Sequence, residues 1–328
     1  MITQERVGYS LGPLLSTRDL LRCAKMADER ENVDSIWVPE SWGRESFSSL
    51  GAISQITKKV RLGTSIVSIY SRTPATIAMA ATTLDMLSGN RTVIGLGAST
   101  PAIVENWHGI HFDNPATRMK EYLQCVRLMT KGEKVNYSGR FFRINNFKIL
   151  HEPARKHIPI FMAAVNKKMI SIASDFADGI LLYLRPLKEL KRVTHDLKYT
   201  TKGKPFEIAC SLICAVSDKD PQKAKNRAAM TLAFYVSVGK YYSNFLVENG
   251  FKVEVQQIIE EYKKSGAEGA SKFVSDRMLN SLAICGSKED CRQSLSKFLS
   301  TGITLPILQF NPLGDSESSF MEMLSTFK

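Results

Sequence analysis

Polar and aromatic side chains follow an apolar segment, SIWV, that we predict to be a strand. Glu40, Ser41, Trp42 and Arg44 come directly after this segment and the proline that ends it. In a barrel of alternating strands and helices, residues at the carboxyl ends of the strands form the functional face. A carboxylate, an indole ring and a guanidinium there could move a proton, stack on a flat ligand and bind an anion. A solvated loop with one packed tryptophan is the alternative interpretation.

A second candidate stretch reads VIGLGASTPAIVENWH. A buried strand opens into a loop of small residues and is followed by adjacent rings at Trp107 and His108. A strand that empties into such a loop is how an α/β barrel exposes functional groups. The GLG does not form a dinucleotide-binding fingerprint, because Thr100 stands where that motif needs its third glycine. We therefore interpret the glycines as a close approach to a flat ligand or as a simple turn.

Two further segments have a functional and a plain interpretation. The segment AAVNKK, 163–168, joins a predicted strand to a helix. Free N–H groups at a helix start and two lysines suit an anion such as phosphate, although an ordinary junction has the same pattern. The segment VRLGTSIV, 60–67, could contain a bulge that meets a planar ring. Its residues alone favour an unbroken strand.

The order of predicted elements indicates an α/β fold. Strands are predicted at 7–14, 35–38, 60–67, 92–96, 158–163, 179–182, 206–216 and 304–310. Helices are predicted at 17–31, 46–57, 73–87, 116–129, 167–176, 187–200, 221–248, 253–280 and 287–300. Eight parallel-type strands predict a (β/α)8 TIM barrel with a β-hairpin excursion at about 133–150 and a helical insertion at about 250–282. We expect one domain over residues 1–328; a doubly wound open sheet is the alternative, but its phosphate fingerprint is missing.

Composition narrows the function classes. The chain has 328 residues, with 44 Lys and Arg against 32 Asp and Glu, for a net charge of +12. The lysines are scattered and no basic stripe is interleaved with aromatics, so we expect no nucleic-acid partner, and a small anionic ligand is the more interesting use of the charge. No apolar run is long enough for a membrane span or a signal peptide. The six cysteines show no metal-ligand spacing, so we expect no metal and a reduced, cytoplasmic setting.

Longer segments resemble a known family. VENWHGIHFDNPATRMKEYLQCVRLMTKGEKVNYSGRFFRI is similar to the central block of the bacterial-luciferase-like superfamily, and within it to the branch that uses the deazaflavin coenzyme F-420. SIWVPESWGRESFSSLGAISQITKKVRLGTSI, PIFMAAVNKKMISIASDFADGILL and AICGSKEDCRQSLSKFLSTGI support it in the expected order. The resemblance implies a TIM barrel, a cofactor pocket at its carboxyl face, and hydride transfer between the deazaflavin and a small organic substrate.

The resemblance also implies residue roles. Glu40 stands where related enzymes carry an acidic residue beside the ring, and Ser41 stands where some carry histidine; these two are the catalytic candidates. A non-prolyl cis peptide bond between Ser65 and Ile66 would back the ring. The residues that the resemblance assigns to cofactor binding are Trp42, Ser65, Ile66, Gly97, Ala98, Ser99, Ala163, Ala164, Val165 and Lys167. Under this assignment Trp107 and His108 become a structural signature rather than a catalytic pair.

The resemblance leaves alternatives for the substrate and for the function, and it implies an oligomeric state. The substrate could be a methylene-tetrahydropterin, as in the methylenetetrahydromethanopterin reductases of the branch, but the acidic residue of those enzymes on the first strand is missing from VGYSLGP. An FMN-dependent luciferase-like monooxygenase and a non-catalytic cofactor-binding relative are the alternatives. A homodimer formed through helices near the second and third strands is expected from the same resemblance.

Overall fold

The structure is a computed structural model that describes residues 6–41, 43–201 and 203–328. The strands are β1 Val7–Ser10, β2 Val33–Val38, β3 Arg61–Thr64, β4 Val67–Ser68, β5 Thr92–Gly97, β6 Val135–Ser138, β7 Arg143–Phe147, β8 Ile160–Ala163, β9 Gly179–Tyr183, β10 Glu207–Val216, β11 Ala283–Gly286 and β12 Leu305–Phe310. The helices are α1 Thr17–Asp28, α2 Ser46–Ile56, α3 Pro74–Ser88, α4 Pro101–Asn106, α5 Pro115–Met129, α6 Lys167–Phe176, α7 Leu187–Thr200, α8 Pro221–Val238, α9 Lys240–Glu248, α10 Lys252–Ala270, α11 Asp276–Leu282, α12 Lys288–Leu299 and α13 Ser316–Thr326, with a short 3-10 helix at Ser271–Phe273.

The fold is the predicted parallel (β/α)8 TIM barrel, with the hairpin β6–β7 as a separate sheet. By its contacts the chain divides into two compact units. The first contains residues 6–33, 182–201 and 208–328, and the second contains Asp34–Leu181 and Gly203–Glu207. The expectation of one domain over residues 1–328 stays a prediction. None of the helices in the described ranges is long and apolar enough to cross a membrane.

The second unit contains the parallel strand path β2-β3-β5-β8-β9, with β4 paired to β5. β3 pairs with β2 and β5, and β8 pairs with β5 and β9, all in parallel. Continuous apolar runs such as IFMA in β8 and GILLY in β9 are typical of strands that are buried on both faces. The Trp37 ring is fully buried, and its centroid lies 5.7 Å from that of Phe161. These strands form a rigid base for the loops at their carboxyl ends.

The first unit holds the helical insertion and a strand that the sequence did not predict. β10 pairs in parallel with β12 and also with β11, which lies between the predicted helices 253–280 and 287–300, where no strand was predicted. The helical stretch predicted over 221–248 divides into two helices: α8 ends at Val238, and α9 begins at Lys240 after Gly239. A Cβ at Gly239 would lie 2.7 Å from the Tyr235 carbonyl oxygen, so the chain turns where a side chain has no room. The predicted insertion is confirmed as α10, the 3-10 helix and α11.

The third predicted strand, 60–67, was wrong as an unbroken strand. β3 stops at Thr64, β4 begins at Val67, and the Ser65–Ile66 peptide bond between them is cis, as the resemblance implied. At the break, the Thr64 hydroxyl donates to the Gly95 carbonyl oxygen and accepts from the Gly95 N–H, at 2.8 Å each. The side chain therefore supplies two hydrogen bonds where the strand ladder is interrupted.

The stretch after β5 also differs from its prediction. We expected a loop, but the short helix α4 begins after Thr100, whose side chain caps it by accepting from the Ile103 N–H. The predicted hairpin is confirmed, and its turn is held by the buried carboxylate of Glu121, which accepts from the N–H groups of Arg140 and Phe141 at 3.0 and 2.8 Å. α5 thereby fixes the hairpin.

We predict that Gly95→Ala destabilises the fold by about 2–4 kcal/mol, because overpacking against backbone cannot be relieved by a rotamer change. A Cβ at Gly95 would lie 1.8 Å from the Thr64 carbonyl oxygen. Urea unfolding followed by circular dichroism measures the change. Gly51→Ala on α2 is the matched control, because a Cβ there meets nothing within 4 Å, and we expect equal or slightly higher stability. Equal midpoints for wild type and Gly95→Ala would contradict the close approach.

Candidate functional site

The carboxyl ends of β3, β5 and β8 bring three of the predicted cofactor-binding residues together. A Cβ at Gly97 would lie 2.8 Å from the Ile66 side chain and 3.4 Å from the Ala163 Cβ. The Ile66 side chain therefore packs directly on the Gly97 backbone, next to the small side chain of Ala163. Ala98 and Ser99 follow, both half-buried. The result is a floor of small residues and one branched apolar side chain, which suits a planar ring.

The strand break also positions the loop that follows β2. The Ser65 N–H donates to the Val38 carbonyl oxygen at 3.0 Å, and the Glu40 N–H donates to the Ile66 carbonyl oxygen at 3.4 Å. One of these hydrogen bonds uses the residue before the cis peptide bond, and the other uses the residue after it. The predicted catalytic residue Glu40 is thereby placed beside Ser65 and Ile66, and Ser41, which is half-buried, follows it directly.

One polar atom at the break has an unused hydrogen-bonding capacity. The Ser65 Oγ is buried, and no residue that the structure describes gives it a hydrogen-bond partner. A buried hydroxyl without a partner is costly, and most such groups in proteins find one. A ligand polar atom at the break would supply the missing bond. Close by, Ser99 has a φ of +61°, which turns the chain sharply after β5.

The strongest electrostatic feature is a guanidinium held between two carboxylates. Arg72 binds Glu40 through both of its terminal nitrogens, with a distance of 2.8 Å from Nη2 to Oε2. The same Nη2 lies 2.5 Å from Oε1 of Glu45. Glu40 Oε2 also accepts from the Ser46 N–H at 3.2 Å. Three of these contacts use the Glu40 oxygens as acceptors, so the position and orientation of this carboxylate are fixed.

The pKa values of two of these groups follow from the same contacts. Burial tends to lower the pKa of the Arg72 guanidinium, but its bonds to Glu40 outweigh burial and raise it. Burial tends to raise the pKa of the Glu45 carboxyl, but hydrogen bonds from the Ser48 and Phe47 N–H groups, together with Arg72, lower it. Glu45 caps the start of α2 through those two N–H groups, at 2.6 and 2.9 Å.

The junction at 163–168, predicted to bind an anion, has some features that favour an anion and one backbone N–H that is already bonded. Asn166 caps α6 by accepting from the Met169 N–H at 3.0 Å, and both Lys167 and Lys168 are exposed at the helix start. The Ala164 N–H donates to the Leu181 carbonyl oxygen at 3.4 Å, so this N–H is already engaged in a long bond. Val165, which follows Ala164 in the chain, is half-buried. The positive end of the helix and the two lysines are the features that favour an anion.

Other predicted residues lie apart from this group. Trp42 lies outside the described residues. Trp107 is 51% exposed and His108 is exposed as well, so the structure gives the pair no enclosed site. Nearby, His111 Nδ1 lies 3.2 Å from the Glu105 carboxylate. In the ranges that the structure covers, no three His, Cys, Asp or Glu side chains gather as metal ligands.

Two residues at the site had no role assigned from the sequence. Arg72 and Glu45 lie 32 and 5 positions from Glu40 along the chain, and neither spacing is a motif. The only local signal was Glu45 directly before a helix start, where a carboxylate can cap. The pairing of Arg72 with Glu40 needs the strand order and could not be read from the sequence.

Known proteins resemble the chain over nearly its whole length. The 5,10-methylenetetrahydromethanopterin reductase of Methanolobus tindarius is 26% identical over 92% of this chain and 92% of its own length. The enzyme of the same name from Archaeoglobus fulgidus is 26% identical over 97% of each chain. The solved structure of the coenzyme F-420-dependent tetrahydromethanopterin reductase from Methanopyrus kandleri superposes with a TM-score of 0.87 at 21% identity, covering 99% of this chain and 100% of that one.

The fold likeness to that structure agrees with the strand order described above. The family model described as luciferase-like monooxygenase matches residues 1–305. This match covers most of the chain, and the cis bond between Ser65 and Ile66 stands where the resemblance to the family implied it. The chain belongs to the luciferase-like monooxygenase family.

Proposed function

We propose that the protein is a coenzyme F-420-dependent oxidoreductase that transfers a hydride between the deazaflavin and a small organic substrate. The observation that carries the proposal is the floor formed by Ile66, Gly97 and Ala163 beside the break in the third strand. Curated relatives at 26% identity include methylenetetrahydromethanopterin reductases, and a solved relative is named as F-420-dependent. When bound, the deazaflavin would supply the hydride chemistry, and the protein would set its face and distance.

The residues present fit this cofactor. The Ser65 hydroxyl is buried without a partner in the described part of the chain, so it can bond a polar edge of the ring. Gly97 leaves no room for a side chain, and with Ala98 and Ser99 it would line the ring edge. Val165 and the neighbouring Ala163 and Ala164, with Lys167, would hold the phosphate of the cofactor. We keep Trp42 as a candidate to stack on the cofactor.

Glu40 and Ser41 are the proposed catalytic pair. The Glu40 carboxylate is fixed by Arg72 and the Ser46 N–H, so its oxygens have defined positions beside the ring floor. A carboxylate in this arrangement can orient a hydroxyl such as that of Ser41, through which a proton would move. Ser41 replaces the histidine of some relatives, and its hydroxyl would relay a proton rather than hold a charge.

The finer assignments are also proposals. A methylene-tetrahydropterin is the substrate class to test first, which would place the protein in one-carbon metabolism. The first strand offers Val7–Ser10 without a carboxylate, and Tyr9 on it is fully buried. The protein would therefore have to supply any proton from another strand. All six cysteines are free and buried, which agrees with the proposed reduced, cytoplasmic setting.

The test of the function is a comparison of cofactors. We expect purified protein to quench F-420 fluorescence on binding and to bind FMN much more weakly. Reduced F-420 with a methylene-tetrahydropterin should then give oxidised F-420, followed by its visible absorbance. Tight FMN binding without F-420 binding would indicate the monooxygenase alternative. If neither cofactor binds, the non-catalytic relative is the better description.

The lysines at the start of α6 give a second prediction. Lys167→Ala with Lys168→Ala should weaken F-420 binding by about tenfold at low salt, and less at high salt, because screening shortens the reach of exposed charges. The double variant Lys263→Ala with Lys264→Ala on α10 is the matched control, since it removes two adjacent exposed lysines elsewhere. Equal affinity in the first variant and wild type at all salt concentrations would restore the plain junction interpretation.

We also propose a homodimer that uses the helices α2 and α3. Exposed apolar side chains gather there: Met79, Met86 and Leu87 are 48%, 38% and 52% exposed at helical spacing on α3, and Ile56 on α2 is 39% exposed. The Gln55 amide donates to the Leu87 carbonyl oxygen at 3.4 Å, which ties the two helix ends together. Neighbouring exposed apolar side chains are typical of protein interfaces.

Sedimentation velocity tests this assembly. We expect a dimer for wild type and a monomer for Met79→Asp with Met86→Asp, because two carboxylates would be buried at the contact. Val253→Asp on α10 changes an exposed apolar residue of the other unit and should leave the dimer intact. A monomeric wild type at micromolar concentration would contradict the proposal.

A further inference from the structure

We propose that Arg72 is a positioning residue that holds the Glu40 and Glu45 carboxylates in place and thereby fixes Glu40 beside the ring floor. The inference rests on the proposed function, because the loop carries the catalytic pair. Arg72 lies between β4 and α3, directly before the Thr73 cap. None of the family-implied roles includes it.

The guanidinium makes a fork with one carboxylate and a single contact with another. Its two terminal nitrogens bind the two oxygens of Glu40, and Nη2 also binds Glu45. The side chains of Arg72 and Glu40 are only 18% and 17% exposed. A planar, partly shielded fork is stronger and more directional than an exposed ion pair, and lysine cannot reproduce it.

The two carboxylates belong to different elements. Glu40 follows β2 and its N–H donates to the Ile66 carbonyl oxygen, whereas Glu45 caps α2. One cation therefore ties both carboxylates to the segment that follows β4. Ser46 adds a further link, because its N–H donates to Glu40 and its hydroxyl donates to the Val38 carbonyl oxygen at 3.0 Å.

Arg72 is itself held in place from other directions. Its carbonyl oxygen accepts from the buried Tyr122 hydroxyl at 3.0 Å, which anchors its backbone to α5. Its Cζ lies 5.8 Å from the centroid of the Phe47 ring. The guanidinium is therefore a fixed point and not a mobile surface charge. Its loss would leave two carboxylates close together near a site proposed for an anionic cofactor, where they would repel the ligand.

The first measurement needs no cofactor. We expect Arg72→Gln to speed hydrogen–deuterium exchange in the peptide covering residues 40–48 of the ligand-free protein by about tenfold, since its N–H groups bond to the two carboxylates that the cation holds. Arg72→Lys should give a smaller increase, because it keeps one charge but loses the fork. This readout can fail or succeed whether or not the protein binds F-420.

The second measurement is F-420 affinity by fluorescence titration. Arg72→Gln should weaken binding by about tenfold or more and lower kcat/KM, because misplacement of site groups acts on both binding and turnover. Arg72→Lys should recover part of the affinity. If wild type binds no F-420, the proposed function fails, while the exchange result still decides whether Arg72 holds the two carboxylates in place.

Arg61→Gln is the matched control. Arg61 also binds two carboxylates, with 2.5 Å to Asp34 and 2.8 Å to Glu207, but it stands at the opposite end of β3. We expect it to lower the urea midpoint without changing exchange in residues 40–48 or the affinity for F-420. Unchanged exchange and unchanged affinity in Arg72→Gln, or equal effects from both variants, would overturn the proposal.

Discussion

The close approach of Thr64 to Gly95 is the constraint on which the site depends. No side chain fits at Gly95, because a Cβ would lie 1.8 Å from the Thr64 carbonyl oxygen. The Thr64 hydroxyl takes both hydrogen bonds of the Gly95 peptide groups while the third strand breaks and restarts. The Thr64 side chain thus pairs the Gly95 N–H and carbonyl groups at the interruption, and leaving them unpaired would cost about 1–3 kcal/mol each. This interruption turns Ser65 and Ile66 towards the carboxyl ends of the strands.

Two kinds of interaction position the residues of the site: close packing and ion pairs. Ile66, Gly97 and Ala163 are positioned by packing in the second unit, where no space is left for a side chain at Gly97. Glu40 and Glu45 are positioned by charge through Arg72, which tolerates small movements but fixes direction. Close packing suits the floor beneath a flat ring, and ion pairs suit a loop that must admit a substrate.

The sequence predicted the parts of the fold that depend on local patterns. Apolar runs between turn residues located all eight barrel strands, and the helix starts predicted at 17, 73 and 287 lie within one residue of those in the structure. The unbroken third strand was wrong because LGTSIV has a good strand pattern, and only the crowding at Gly95 shows that it must break. β11 was missed because AICG is short and directly follows a helix. The cis bond came from family resemblance, not from the residues.

The sequence predicted only those site residues that follow a strand or match the family. Glu40 and the small residues near Gly97 could be named because they follow strands, and strand ends meet at one face of such a sheet. Arg72 could not, because its partner lies 32 positions away and the pairing depends on two loops of the folded chain. A lone arginine in SRTP has the same local appearance as any solvated arginine. Because the guanidinium of Arg72 binds the Glu40 and Glu45 carboxylates, its effect on the chemistry would pass through Glu40. A positioning residue such as Arg72 is identified by its contacts in the folded structure, because its residue type and local sequence do not distinguish it.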